Sequence, residues 1–202
     1  MMKKLTLDFY TRKDVIQIAR DLIGKILVTH LPEGITSGRI VETEAYMGLT
    51  DRASHSFGGR RTARNEHMYA SGGSSYVYIC YGMHQMFNVV TNEKDVPDAV
   101  LVRALEPLEG VEIMLKRTGK KKLDYTLTRG PGNLGKALGI HKGLSGLDLR
   151  DDRLFIADDG FNAKPEDIVV TKRIGVEPAG KDALLPYRFI LRNNKYVSAR
   201  KS

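Results

Sequence analysis

The chain has 202 residues, 42% of them apolar, with a net charge of +8, a single cysteine and no tryptophan. That length and apolar content suit one domain with a sizeable core. They exclude an intrachain disulfide and a cysteine-rich zinc site, and no run approaches the roughly 20 apolar residues of a membrane span. Met1-Met2-Lys3-Lys4 looks like the charged end of a signal peptide. The apolar region that should follow is broken by Asp8, Arg12, Lys13 and Asp14, so a soluble, cytoplasmic protein is expected, nucleoid-associated if the cell is bacterial.

Residues 11–23 read as a first helix. Val15, Ile18, Ala19 and Leu22 share one face at three- and four-residue spacing, with Thr11 as N-cap and Gly24 as stop. Residues 25–30 form a short strand, Pro32-Glu33-Gly34 a turn, and residues 35–46 a second strand that pairs back. Period two puts Glu42, Glu44 and Tyr46 on one face and Val41, Thr43 and Ala45 on the other. Residues 47–73 are long and irregular, with helical turns expected at 51–55 and 62–69; such a stretch in a compact domain is usually functional or mobile. Residues 75–81 and 85–91 read as strands joined by a hairpin-like tip at Gly82-Met83-His84.

Residues 92–98 are a polar loop, and residues 99–105 an apolar strand interrupted by Arg103. Residues 108–117 form an amphipathic helix, Lys120-Lys121-Lys122 a basic loop, and Gly130-Pro131-Gly132 introduces a helix over 133–138. Short strands are expected at 154–157, 168–174, 189–191 and 196–197. Without repeats, low-complexity segments or linkers, the chain reads as a single mixed α/β (α+β) domain over residues 1–202.

The positive charge is unevenly spread. Residues 39–110 carry 7 basic and 9 acidic side chains, whereas residues 111–202 carry 19 and 11. A near-neutral pocket flanked by basic surface would have this distribution, and such surface attracts phosphate backbones.

Residues 39–110 also hold most of the chemistry. Arg103 interrupts an apolar run, and a buried arginine nearly always needs a carboxylate or phosphate. Glu44 is a natural partner, in a pair that is either structural or the orienting half of a general base. Glu42 shares its face and is the rival; two carboxylates could divide acid and base work. His55 lies among small residues with no His-x-x-His, Glu-x-x-His or cysteine companion, which favours hydrogen bonding over metal ligation. His84 is expected to contact backbone or phosphate, and Arg60, Arg61 and Arg64 form a basic cluster. Tyr76, Tyr78 and Tyr81 offer a stacking surface for a planar ligand. Ideal alternation separates Tyr78 from Tyr81, so both reach one ligand only if the strand ends at Tyr81. Cys80 has no activating neighbour and is expected as a small core residue. Gly58-Gly59-Arg60 and Gly130-Pro131-Gly132 match neither the Walker nor the dinucleotide pattern.

Three blocks resemble the alkyladenine (3-methyladenine) DNA glycosylase family, the group typified by the mammalian enzyme. They are Arg39-Ile40-Val41-Glu42-Thr43-Glu44-Ala45-Tyr46, Tyr76-Val77-Tyr78-Ile79-Cys80-Tyr81-Gly82-Met83 and Arg103-Ala104-Leu105-Glu106-Pro107-Leu108-Glu109-Gly110. A looser match runs from the first helix to Lys195-Tyr196-Val197-Ser198, while residues 120–153 match poorly and inherit no DNA contacts. The resemblance implies a curved, mainly antiparallel sheet with flanking helices and a protruding hairpin, and neither cofactor nor metal. It implies a monomer that flips damaged purines out of double-stranded DNA and hydrolyses their N-glycosidic bond, leaving an abasic site. Carried over by motif, Glu44 activates the water and Arg103 helps to hold it. Tyr46, His55, Tyr78 and Asn88 form the base pocket, with Asn88 excluding the exocyclic amine of guanine. Tyr81 intercalates with Met83 beside it.

Two rival readings are weaker. A lyase working through a Schiff base needs a pocket lysine or N-terminal amine, and no lysine occurs between Lys25 and Lys94. A non-catalytic nucleic-acid-binding module would explain the charge equally well, but not a carboxylate paired with Arg103.

Overall fold

The structure is a computed structural model that describes residues 2–198. In chain order the elements are β1 (Lys3–Lys4), α1 (Leu7–Tyr10), α2 (Val15–Asp21), β2 (Ile26–Leu31), β3 (Gly34–Tyr46), β4 (Ser75–Cys80), β5 (His84–Thr91), β6 (Asp98–Glu109), α3 (Val111–Thr118), α4 (Pro131–Ala137), β7 (Leu154–Asp158), β8 (Ile168–Thr171) and β9 (Arg188–Leu191). One nine-stranded sheet runs β1-β7-β2-β3-β6-β5-β4, with β9 pairing to both β3 and β8. Every pairing is antiparallel. The class is therefore mixed α/β, as the sequence indicates. Among the described residues no helix is long and apolar enough to cross a membrane.

β3 is the hub of the sheet. Its first half lies between β2 and β6, and its second half between β9 and β6. Register shifts occur between Ile40 and Glu42 and between Glu42 and Thr43. Each skipped residue re-aims the side chains that follow. Hence Ile40, Thr43 and Ala45 turn toward the helices, with Ile40 and Ala45 in the apolar core and Thr43 Oγ1 donating to the Ala19 carbonyl at 2.7 Å. Val41 is buried but lies outside that core cluster, so uninterrupted alternation misassigned it. The core fills the opposite sheet face, where α2 packs on β3 and β6, and α4 on β5 and β6.

Several boundaries differ from the sequence reading for identifiable reasons. The expected first helix starts later, at Val15, because Asp14 rather than Thr11 caps α2, its side chain accepting from the Gln17 amide at 2.9 Å, and the separate turn α1 precedes it. Residues 51–55 form turns, and the short 3-10 helices of the long loop are Phe57–Gly59 and Glu66–Tyr69. β6 continues to Glu109, past the expected start of the next helix, and Gly110 makes the break. With φ +72°, its position would bring a Cβ within 2.1 Å of the Ile35 carbonyl oxygen, so only glycine is accommodated. β8 ends at Thr171, and Tyr196 and Val197 lie in a turn rather than a strand. Cys80 pairs with His84, so the hairpin tip is Tyr81, Gly82 and Met83, while His84 opens β5.

Candidate active site

One row crosses four strands. Glu44 on β3 pairs with Leu101 on β6, Leu101 with Asn88 on β5, and Asn88 with Tyr76 on β4. Tyr46, Ala99, Arg103, Met86, Tyr78 and Cys80 join the face opposite the helices. Above it lies a cavity of about 360 Å³, walled by residues 53–55, Arg64, Tyr81 and Pro131, and by Ile174, Gly175 and Val176. The sheet thus supplies a rigid floor, and the long loop and the segment after β8 supply the walls. Cys80 lies on this floor and is partly exposed, not in the core as expected from sequence, because its parity matches Tyr78.

Glu44 is fully buried beneath that floor. Its Oε2 accepts from the Tyr46 hydroxyl at 2.8 Å and from Arg103 Nη1 at 3.3 Å, and its Oε1 accepts from the Ile174 amide at 2.8 Å. All three donor residues line the cavity. Burial, followed by the Glu44 charge, pushes the Tyr46 hydroxyl pKa well above its usual value, so Tyr46 stays a neutral donor. Burial works against the Arg103 cation, but Glu44 and Glu42 outweigh it and raise its pKa.

Glu42 is equally buried but differently engaged. Its Oε1 accepts from Arg103 Nε at 2.9 Å and Arg188 Nε at 2.7 Å, and its Oε2 from the Ser198 amide at 2.7 Å. Only Arg103 among these partners lines the cavity. Glu42 therefore ties β3, β6, β9 and the chain near residue 198 together, whereas Glu44 is held by groups that face the ligand space. Geometry separates two carboxylates that sequence left as rivals.

The aromatic wall is compact. The rings of His55 and Tyr78 meet edge to face at 4.5 Å, and Tyr76 lies 5.5 Å from Tyr78. His55 Nδ1 and the Tyr76 hydroxyl hydrogen-bond at 2.9 Å. Burial, then Arg64 and Arg60, lowers the His55 pKa below its usual value, so the imidazole is neutral at pH 7. Burial pushes the Tyr78 hydroxyl up to about 12, with Cys80 and Glu44 adding to it. Asn88 Nδ2 donates to the Tyr76 and Met86 carbonyls, each at 3.2 Å, which fixes its amide against the cavity.

Tyr81 lies at the tip with 89% of its surface exposed, and Met83 is 72% exposed. The φ of Tyr81 is +49°, a left-handed conformation uncommon for a bulky side chain. The turn ends the strand at Tyr81, and that lets it share a cavity with Tyr78 despite opposite strand parity. Of the basic residues singled out from sequence, Arg64 lines the cavity, donating to the Ile79 carbonyl at 3.2 Å, and Arg60 and Arg64 line an adjoining one. Arg61 is elsewhere, bridging Glu66 and Asp95 over the Tyr69 ring. His84 lies beside α4, where a Cβ on Gly132 would come within 2.5 Å of its Nδ1.

Sequence reasoning missed Arg188, Asp51 and Arg173. Arg173 stacks on the Tyr46 ring at 4.7 Å and on Tyr187 at 5.4 Å, and its guanidinium grips the Asp51 carboxylate and the Ala45 carbonyl. The residue after it supplies the Ile174 amide to Glu44. Arg188 opens the short strand β9 and sits within the mostly apolar stretch Leu184-Leu185-Pro186-Tyr187-Arg188-Phe189-Ile190-Leu191, so a signal like that of Arg103 was available. Nothing local marks Asp51. Among the described residues no three His, Cys, Asp or Glu side chains are grouped to hold a metal ion.

Comparison with known proteins identifies the family of the chain. The family model for methylpurine-DNA glycosylase matches residues 8–195. A provisionally named 3-methyladenine DNA glycosylase of Desulfitobacterium hafniense is 46% identical over 98% of this chain and 100% of its own length. Provisionally named counterparts from Bacillus licheniformis and Methanocella arvoryzae are 47% and 45% identical over 96% and 98% of both chains.

Proposed function

The chain belongs to the methylpurine-DNA glycosylase family, a group of DNA-repair hydrolases acting on N-glycosyl bonds, and from that premise we propose that it extrudes an alkylated or otherwise damaged purine from duplex DNA and hydrolyses its glycosidic bond with a water activated by Glu44. The observation that carries the reading is a buried carboxylate whose three donors all face one aromatic cavity. A base within the stack cannot reach such a site and has to be flipped.

Each part has a physical task in this scheme. Alkylation at N3 or N7 makes the purine cationic and a better leaving group. The Tyr76 and Tyr78 faces attract that cation by about 0.5–2 kcal/mol each, and a neutral His55 does not repel it. Asn88, fixed by two backbone carbonyls, blocks the exocyclic amine of guanine. Three of the four lone-pair positions of Glu44 are occupied, and the fourth, on Oε1, accepts from the attacking water. As the base leaves, the sugar gains oxocarbenium character, which the Glu44 charge stabilises. Arg103 holds the water with it. Among the described residues no lysine lines the cavity, which supports simple hydrolysis without strand cleavage.

Outside the cavity, Tyr81 with Met83 beside it fills the gap left by the base, offsetting lost stacking and bending the duplex. Arg60, Arg64 and His84 approach the phosphates, while the two carboxylate partners of Arg61 assign it to the loop's own structure. The protein acts as a monomer.

The test is base release by purified protein from duplex DNA carrying 3-methyladenine, 7-methylguanine, hypoxanthine or ethenoadenine. Release of at least one is expected, and inactivity across the panel would refute the reading. Tyr81→Ala should leave the thermal unfolding midpoint unchanged, since the ring touches little. It should weaken flipping, read as a smaller rise in 2-aminopurine fluorescence beside the lesion. An unchanged rise and unchanged base release would remove the intercalating role.

A further inference from the structure

The geometry points to a second DNA-binding surface, separate from the lesion pocket, in which Lys121, Lys122, Arg129 and Lys195 grip the phosphate backbone of the duplex flanking the damaged base. The inference rests on the proposed function for the identity of its partner. The first observation is where the charge is left unpaired. Near β1, β2 and β7 three cations are matched to carboxylates, in the pairs Lys4–Asp152, Lys25–Asp158 and Arg39–Asp159. Lys121, Lys122, Arg129 and Lys195 form no ion pair among the described residues, and the three lysines are exposed.

The second observation is order. Tyr125, 44% exposed, meets Tyr196 edge to face at 5.4 Å. Arg129 lies 5.9 Å and Lys195 5.6 Å from the Tyr125 ring centre, and an Arg129 Nη2–H donates to the Lys195 carbonyl. An aromatic ring holds a cation in place without neutralising it, so this pair is positioned and still fully charged. The Nε–H of Arg129 is buried and has no acceptor among the described residues.

The third observation is position. The next residues along the chain reach the lesion site: Pro131 lines the cavity, and Gly132 packs against His84, at the base of the tip that bears Tyr81 and Met83. Arg60 and Arg64 lie on the other wall, in the long loop. A duplex is continuous on both sides of a lesion. When Tyr81 is inserted, one flank meets the loop arginines and the other meets this cluster.

The test is the salt dependence of binding to a long undamaged duplex, for wild type and for the combined Lys121→Ala, Lys122→Ala and Lys195→Ala variant. The three lysines are surface residues, and unfolding midpoints will check that the fold is kept. Each phosphate that is no longer neutralised should reduce the slope of log Kd against log salt by about 0.9, so by about 2.7 for three. Lys4→Ala, which removes a paired cation, serves as control and should leave the slope unchanged. An unchanged slope in the triple variant would overturn the proposal and leave the patch to an acidic protein. Equal effects per lysine in the control and the triple variant would also overturn it, since charge in general, not this surface, would then be acting. Base release by the wild-type protein is scored separately, so a failure of the enzymatic reading is distinguishable from a failure of this one.

Discussion

Glu44→Gln is expected to slow base release by on the order of 10²–10⁴-fold, the range that a positioned general base contributes. The substitution keeps shape and volume but removes the acceptor charge. One of the two oxygens becomes an amide nitrogen, and it then faces either the Ile174 amide or the Tyr46 hydroxyl, both donors at 2.8 Å. That donor–donor clash should cost about 1–3 kcal/mol of stability, which leaves a folded protein. Arg103 keeps Glu42 as a counter-charge at 2.9 Å, so the floor of the cavity does not collapse. Single-turnover release from hypoxanthine-containing duplex measures the chemistry, and circular dichroism with lesion-DNA binding checks that fold and recognition survive. A variant as fast as wild type would dismiss Glu44 as the base. Glu42 is the informative contrast, because among its partners only Arg103 lines the cavity.

Asp51→Ala should destabilise the fold by about 3–5 kcal/mol, the range for breaking a buried ion pair on one side. The side chains of Asp51 and Arg173 are 1% and 0% exposed. Without the carboxylate, the guanidinium of Arg173 retains the Ala45 carbonyl at 2.9 Å and the Asp182 carbonyl at 3.0 Å, neither of which neutralises it. The damage also spreads toward the chemistry. Arg173 supports the Tyr46 ring and directly precedes the Ile174 amide, and both groups donate to Glu44. Urea unfolding gives the stability change, and base release measured well below the unfolding midpoint gives the effect on catalysis. A loss of under about 1 kcal/mol, typical of an exposed pair, would show that the pair is not the clamp described here.

How much of this was legible beforehand follows the range of the interactions involved. The strand that carries Glu42, Glu44 and Tyr46 was readable because alternation is set by neighbouring residues. Arg103 stood out because a cation in an apolar run needs a partner. The exchange of Ile40 for Val41 on the core face was not readable, since a bulge is a property of two paired strands and leaves no local mark. The lack of an activating neighbour points Cys80 to the core, yet β4 parity turns it toward the cavity. The caps were readable in kind but not in place: Thr11 and Asp14 are both good N-caps, and only packing chose Asp14.

By itself the sequence determined most of the element types, the family and the candidate side chains of the β3, β4 and β6 blocks, because propensity, period and motif all act over a few residues. The tertiary structure decided which carboxylate is held by cavity-lining groups. Register across β3, β6, β5 and β4 set Glu44, Leu101, Asn88 and Tyr76 in one row. Loops distant in sequence supplied Arg173, the Ile174 amide and Asp51. It also decided which cations are left without a carboxylate partner among the described residues: Arg61 and Lys4 found carboxylates, and Lys121, Lys122 and Lys195 did not. Pairing between remote residues is a three-dimensional outcome, and a count of charges along the chain carries no record of it.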